Sequence, residues 1–383
     1  MVRLLCAALL LSMGSGLGGA VAQEPRRTGA ADAPKTAVKL ETVATGLAHP
    51  WGLQFLPDGG FLVSERPGQL RIVDRSGKLS SPIPGVPKVS AKGQGGLLDI
   101  ALAPGFAESG EIFLSYSEPR EDEKNGTSVA RAKLVREEGG GGRLEDVRVI
   151  FRQIPSYRSD LHFGSRIAFA ADGTLFVTTG ERFVAKNEAQ NPANHIGKII
   201  HITPHGEPAA GNPNLSGWDP KVWSIGHRNS QGAAIDPATG RLWTVEHGAQ
   251  GGDELNHPEA GKNYGWPVIT YGIDYSGAKI GVGTAKAGLE QPVYYWDPSI
   301  AVSGLTIYSG DLFPGWKGNF LVGSLKFGNM QRLVLRDGMV VAREVIDPGF
   351  RDRVRDVRQG PDGAVYVLTD SPTGRLLRLT PGS

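Results

Sequence analysis

The groups in this chain that can do chemistry are a histidine, an acid and a scatter of basic residues. His162 sits in Arg158-Ser159-Asp160-Leu161-His162-Phe163-Gly164-Ser165-Arg166, and the run Thr174-Leu175-Phe176-Val177-Thr178-Thr179 then leads out to Gly180-Glu181. An imidazole can take a proton near neutrality, and a nearby carboxylate can hold its tautomer and raise its basicity. A single histidine is more often a packed or surface residue. Its place, where a loop meets an inner strand that ends at Glu181, makes His162 the candidate base.

Gly226-His227-Arg228-Asn229-Ser230-Gln231-Gly232 offers Arg228 as a fixed cation, or else a turn closed by His227 and Asn229. Glu246-His247-Gly248-Ala249-Gln250-Gly251-Gly252-Asp253-Glu254 offers backbone carbonyls and two acids, the oxygens that calcium prefers. It is equally readable as a glycine-rich surface loop, and it lacks the alternating acids of an EF-hand. Asn263-Tyr264-Gly265-Trp266-Pro267 adds further carbonyls. Arg353 and Arg355 alternate and so share one strand face, and with Lys326 they suit a multiply anionic small molecule. Asp352 and Asp356 stand beside them as neutralising acids, the bland alternative. Gln94 lies among glycines that let backbone approach a ligand closely.

The elements that position these residues repeat. Turn-then-strand units begin at Pro57-Asp58-Gly59, Gly110, Asp172-Gly173, Thr239-Gly240, Lys317-Gly318 and Pro361-Asp362-Gly363. Six units at intervals of about 45–80 residues predict an all-β, six-bladed β-propeller of four-stranded antiparallel blades, in preference to a β-sandwich. The run Gly139 to Gly142 reads as a hairpin tip between outer strands.

Composition agrees. The chain has 383 residues with Gly 54, Pro 26 and 21% charged residues, which suits short strands and turns and argues against a helical bundle or a disordered chain. A formal net charge of +2 gives no sign of a nucleic-acid or membrane-surface protein. Residues 1–22 read as a signal peptide: Arg3, the apolar run Leu4 to Met13, and Ala20-Val21-Ala22 before Gln23. That run is too short to span a bilayer. The one cysteine, Cys6, falls inside the leader, so a mature chain would carry no disulfide, which fits a soluble periplasmic enzyme. Residues 23–36 read as a flexible lead-in, and 37–383 as one propeller domain.

Together these segments resemble the soluble PQQ-dependent aldose sugar dehydrogenases, the glucose/sorbosone dehydrogenase family. The matching stretches are His49-Pro50-Trp51-Gly52-Leu53, Gly93-Gln94-Gly95-Gly96-Leu97-Leu98, His162-Phe163-Gly164 with Arg166, Gly226-His227-Arg228-Asn229 with Gln231-Gly232, and Glu246-His247-Gly248 with Asp253-Glu254. Asn263-Tyr264-Gly265-Trp266-Pro267, Gln291-Pro292-Val293 with Tyr295-Trp296, Ser303-Gly304-Leu305 and Arg353-Val354-Arg355-Asp356-Val357 complete the order.

The resemblance implies oxidation of an aldose at its anomeric carbon by hydride transfer to PQQ. It makes His162 the general base, Glu181 the acid behind it (Asp in glucose dehydrogenases) and Arg228 the cation that polarises the quinone carbonyl. It places Gln94, Lys326, Arg353 and Arg355 on PQQ, Gly248 and Ala249 on the calcium that bridges to PQQ, and Glu254 and Tyr264 on a second calcium. Two departures stand out: Leu161 before the histidine, where soluble glucose dehydrogenase has an acid, and Ala249, where it has proline. The expected partners are an aldose and an external electron acceptor, such as a periplasmic cytochrome or quinone, with the protein a monomer or homodimer. Competing readings are a calcium-dependent lactonase or esterase, against which the late basic group speaks, and a non-catalytic sugar- or protein-binding propeller, which would need neither His162 nor Arg228.

Overall fold

Alternating apolar and small residues broken by glycine turns favour short antiparallel strands, and the molecule is built almost wholly from them. The computed structural model describes residues 30–347, 349 and 351–382. The expected leader falls outside the described residues. Strands form six sheets arranged as propeller blades. Their innermost strands are Pro50–Phe55, Leu97–Leu102, Gly164–Phe169, Ser230–Ile235, Val302–Ile307 and Arg353–Gln359.

The recurring turn-strand unit is the second strand of each blade, not the first: Phe61–Glu65, Glu111–Pro119, Leu175–Thr179, Leu242–Glu246, Phe320–Ser324 and Val365–Asp370. This corrects the expected placement of His162. The histidine precedes the innermost strand Gly164–Phe169, and Glu181 follows the second strand, Leu175–Thr179, which pairs antiparallel with it. An inner strand's start and its neighbour's end lie at the same end of a blade, so both residues reach one face of the ring.

Four sheets have four strands, one has three and one has five. The first blade (Pro50–Phe55, Phe61–Glu65, Gln69–Val73) has only the isolated bridge Val73–Leu79 at its outer edge. The fifth gains Ala31–Asp32, parallel to Ala342 and Arg343. Part of the expected flexible lead-in is thus paired in the sheet, and the Thr36 hydroxyl bonds the Glu344 carboxylate at 3.1 Å. In the sixth blade the N-terminal strand Val38–Leu47 pairs with Gly374–Pro381 and closes the ring. The Arg136–Gly142 pairing confirms the hairpin at the glycine run.

Blades stack through apolar faces, as where Phe113 and Val129 of the second meet Ile167, Val177 and Ile200 of the third. Each such side chain contributes roughly 1.5–3 kcal/mol on burial. The hub is charged instead. Fully buried Arg166 reaches Asp99 at 3.1 Å and Asp356 at 3.0 Å, donates to the Gln231 carbonyl at 2.7 Å, and lies 4.1 Å over the Trp51 ring. Arg358 holds the same two acids at 3.2 and 2.9 Å. Asp356 is therefore occupied at the hub, and Asp352 pairs with Arg375, so neither neutralises Arg353 or Arg355 as expected.

Candidate active site

Chain polarity decides which residues share the working face. Gln94, His162 and Arg228 each sit just before an innermost strand, and Glu181, Gly248 and Lys326 follow the second strands of their blades.

His162 is buried, and its Nδ1 lies 2.6 Å from Glu181 Oε1. Gly180 makes the approach possible, because a Cβ there would collide with the His162 carbonyl. The His162 amide donates to Gln94 Oε1 at 2.9 Å, and the Glu181 amide donates to the Arg228 carbonyl at 2.9 Å. Burial lowers the His162 pKa, the bond to Glu181 opposes this, and the Arg228 and Arg182 charges add to the lowering. The carboxylate does raise the imidazole's basicity, as its type suggests, but burial outweighs it.

Arg228 is buried on the Trp266 ring at 5.1 Å. It donates to the carbonyls of His247 and Gly248. Its amide is held by Glu246 Oε2 at 2.7 Å. His227 and Asn229 serve the scaffold. His227 bonds Glu246 and Ser224 and stacks on Tyr264, while Asn229 accepts the Gly164 amide.

A cavity of about 410 Å³ opens on the same face, lined by Trp51, Arg66, Gln94, His247, Arg353 and Arg355 among others. Arg355 is buried and reaches Asp370 at 2.9 Å and Gln231 at 2.7 Å. Arg353 is half-exposed, 3.7 Å from Asp370. Burial pushes the Asp370 carboxyl up, but the Arg355 charge and bonds from His49 and Arg355 hold it well below the usual range. One acid against Arg66, Arg353 and Arg355 leaves the lining positive. Lys326 does not line the cavity; it is exposed beside Leu325, which does, with its Nζ 5.3 Å over the Phe327 ring.

Among the described residues no cluster of three or more His, Cys, Asp or Glu side chains could hold a metal ion. A cation here would depend on backbone oxygens. Gly248 and Ala249 are buried, and a side chain at Gly248 would strike the Gly251 and Gly252 backbone. Glu254 is packed near Glu246, and burial, then the Glu246 charge, raises its pKa to about 8. Asn256 donates to Glu246 Oε1 at 2.8 Å and to Glu254 Oε2 at 3.0 Å, but Glu254, unlike Glu246 with His227, has no ion-pair partner among the described residues. Tyr264 commits its hydroxyl to the His257 carbonyl and the Glu259 amide, so its main-chain carbonyl is the oxygen left for a metal.

The glucose/sorbosone dehydrogenase family model matches residues 47–378, which spans every blade and all of these residues. The chain belongs to that family. It is 45% identical over 356 residues to the aldose sugar dehydrogenase YliI of Escherichia coli, covering 91% of this chain and 94% of that one. Its fold matches the crystal structure of the soluble aldose sugar dehydrogenase of Escherichia coli in the apo form (TM-score 0.86, 44% identity, 90% of this chain and 100% of that one). The PQQ-bound aldose sugar dehydrogenase of Streptomyces coelicolor matches at TM-score 0.73 and 31% identity, over 91% of this chain and 100% of that one. No helix among the described residues is long and apolar enough to cross a membrane.

Sequence reasoning brought His162, Glu181, Gln94, Arg228, Arg353 and Arg355 to one face but passed over other residues there. His49, Trp51, Arg66, His247 and Asp370 line the cavity. His49 and Arg66 were findable by position, one before the first innermost strand and one after the second strand. Arg182 left no such signal. It lies buried 3.6 Å over the Phe163 ring, bonded to the Leu161, His162 and Ser159 carbonyls and to Asn125.

Proposed function

We propose that the protein is a PQQ- and calcium-dependent aldose dehydrogenase that oxidises the sugar at its anomeric carbon to the lactone, with His162 as general base. The observation that carries this reading is the Glu181-held imidazole whose backbone is fixed by Gln94, a residue that also lines the positive cavity.

The cavity fits the cofactor. PQQ carries three carboxylates, and Arg66, Arg353 and Arg355 offer the charge-assisted donors such groups need. Gln94, Trp51 and His247 line the same space, as does Leu325, the chain neighbour of Lys326. Gly248 and Ala249 would hold a calcium at the cofactor, and Glu254 with the Tyr264 carbonyl a second one. When bound, PQQ supplies the two-electron oxidant, and calcium draws electron density from its quinone oxygen.

The protein's own residues do the rest. Glu181 takes up Nδ1, so Nε2 is the nitrogen left to accept the proton of the anomeric hydroxyl. Loss of that proton lets hydride leave the anomeric carbon as the ring carbonyl forms. Arg228 presents a buried positive charge where negative charge develops on the oxidant. A lowered pKa keeps His162 neutral and ready to accept at neutral pH.

A soluble periplasmic enzyme fits the leader-like N-terminus, with a cytochrome or quinone as terminal electron acceptor. The test is dye reduction by the purified mature protein with a panel of aldoses. Activity requiring both PQQ and calcium supports the assignment, and none with both present overturns it.

A further inference from the structure

Directly after Glu181 the chain makes a turn that most side chains avoid. Arg182 and Phe183 both adopt left-handed backbone, with φ of 64° and 63°. Neither is glycine, so the turn is strained, and strain of this kind persists only where the surroundings impose it. Here Arg182 imposes it, since its buried guanidinium is tied to three main-chain carbonyls and Asn125. The turn delivers Phe183 against His162, with ring centroids 5.4 Å apart and planes at 82°. Phe183 nevertheless remains 45% exposed. A large apolar ring is thus held in solvent, at backbone cost, against the candidate base. The core gains nothing from it.

Next to the segment that follows Glu246 lies the 271–275 loop, whose Ile273 exchanges main-chain hydrogen bonds with Gln250 at 2.9 and 3.0 Å. That loop exposes Ile273 and Tyr275, 44% and 62% accessible.

We propose that Phe183 is the apolar platform on which the aldose ring rests while its anomeric hydroxyl meets His162, and that this contact sets sugar affinity. A pyranose presents C–H bonds on one face and hydroxyls around its rim. An exposed aromatic ring beside the base accepts that face and leaves the hydroxyls to polar groups. The inference rests on the reading of the site as a sugar-oxidising one.

The test compares wild type with Phe183→Ala, Phe183→Gly and Phe183→Trp in the reconstituted holoenzyme. Phe183→Ala and Phe183→Gly are expected to raise KM for the preferred aldose about 3- to 10-fold, with kcat within about twofold. Phe183→Trp keeps KM within about twofold. Phe183→Gly also relieves the left-handed strain, so its Tm stays level or rises while its KM worsens, a split that a purely structural role does not produce. Without turnover, saturation of aromatic protons in protein carrying reduced cofactor transfers to the sugar C–H protons in wild type and weakens in Phe183→Ala. Unchanged KM and unchanged transfer in a folded Phe183→Ala protein would overturn the platform role alone. Wild-type protein that oxidises no aldose would instead overturn the enzyme assignment.

Discussion

Glu181 Oε1 lies 2.6 Å from His162 Nδ1, while the second carboxylate oxygen of Glu181 is buried without a hydrogen-bond partner. The acid is thus spent on one contact, which fixes the tautomer of the base.

Replacing His162 by Gln is expected to lower kcat about 10²- to 10⁴-fold, with PQQ affinity little changed. Glu181→Gln keeps a hydrogen-bond acceptor but removes the charge, so it costs less, about 10-fold. The proposed base must work neutral, and burial lowers the folded pKa of His162. Activity is therefore full at neutral pH and falls as pH drops through a value below the ordinary ~6.5. Glu181→Gln moves that acid limb lower still. A pH–rate profile of kcat/KM for both proteins checks this.

As proposed PQQ partners Arg355 and Arg353 would contribute unequally, since Arg355 is buried and Arg353 is half-exposed. Arg355→Met is expected to weaken PQQ binding about 10- to 100-fold, and Arg353→Met by less than about 10-fold with stronger salt dependence. Equilibrium titration of metal-loaded protein with PQQ at two ionic strengths measures both.

Glu254 offers a test of the proposed second calcium site. In metal-free protein its raised pKa means that stability is lost as pH rises from the unfolded value of about 4.5 towards about 8. Glu254→Gln should raise the Tm of chelator-treated protein at pH 8 and cancel much of the rise that calcium gives wild type. Equal calcium stabilisation in both proteins would remove Glu254 from the metal site.

The hub ion cluster makes a separate prediction. Arg166→Met leaves Asp99 and Asp356 buried with only Arg358 between them. Such a loss costs about 3–5 kcal/mol, seen as a lower unfolding midpoint. Isosteric Asp99→Asn, which removes charge yet keeps bonding capacity, should cost less.

The blade count was legible because each second strand follows a glycine turn, as at Asp172-Gly173 before Leu175–Thr179. The innermost strands were harder to see. Gly164–Phe169 and Ser230–Ile235 carry Arg166, which faces the charged hub, and Gln231, which bonds Arg355, so they lack an apolar signature. Hence the echoed turn marks the second strand, and the innermost strand has no comparable signal in the sequence. His162, Glu181 and Arg228 were legible from residue type and flanking glycines. The pairing of Arg355 with Asp370 was not, because it joins two strands of one blade across a bulge, while Asp356 next door is the nearer acid in sequence. Arg182 was invisible for the same reason: its partners come from the 159–162 segment and Asn125, remote in the chain.

In the proposed reaction hydride leaves the anomeric carbon of an aldose while His162 takes the proton of the anomeric hydroxyl. The most direct measurement follows reduction of PQQ in the calcium-loaded protein by an aldose carrying deuterium at that carbon, with product analysis. Slower reduction than with the protium sugar, a lactone product, and no reduction by the methyl glycoside, which has no anomeric hydroxyl proton to give, are expected. Equal rates for the two isotopes, or a methyl glycoside oxidised as well as the free sugar, would contradict it.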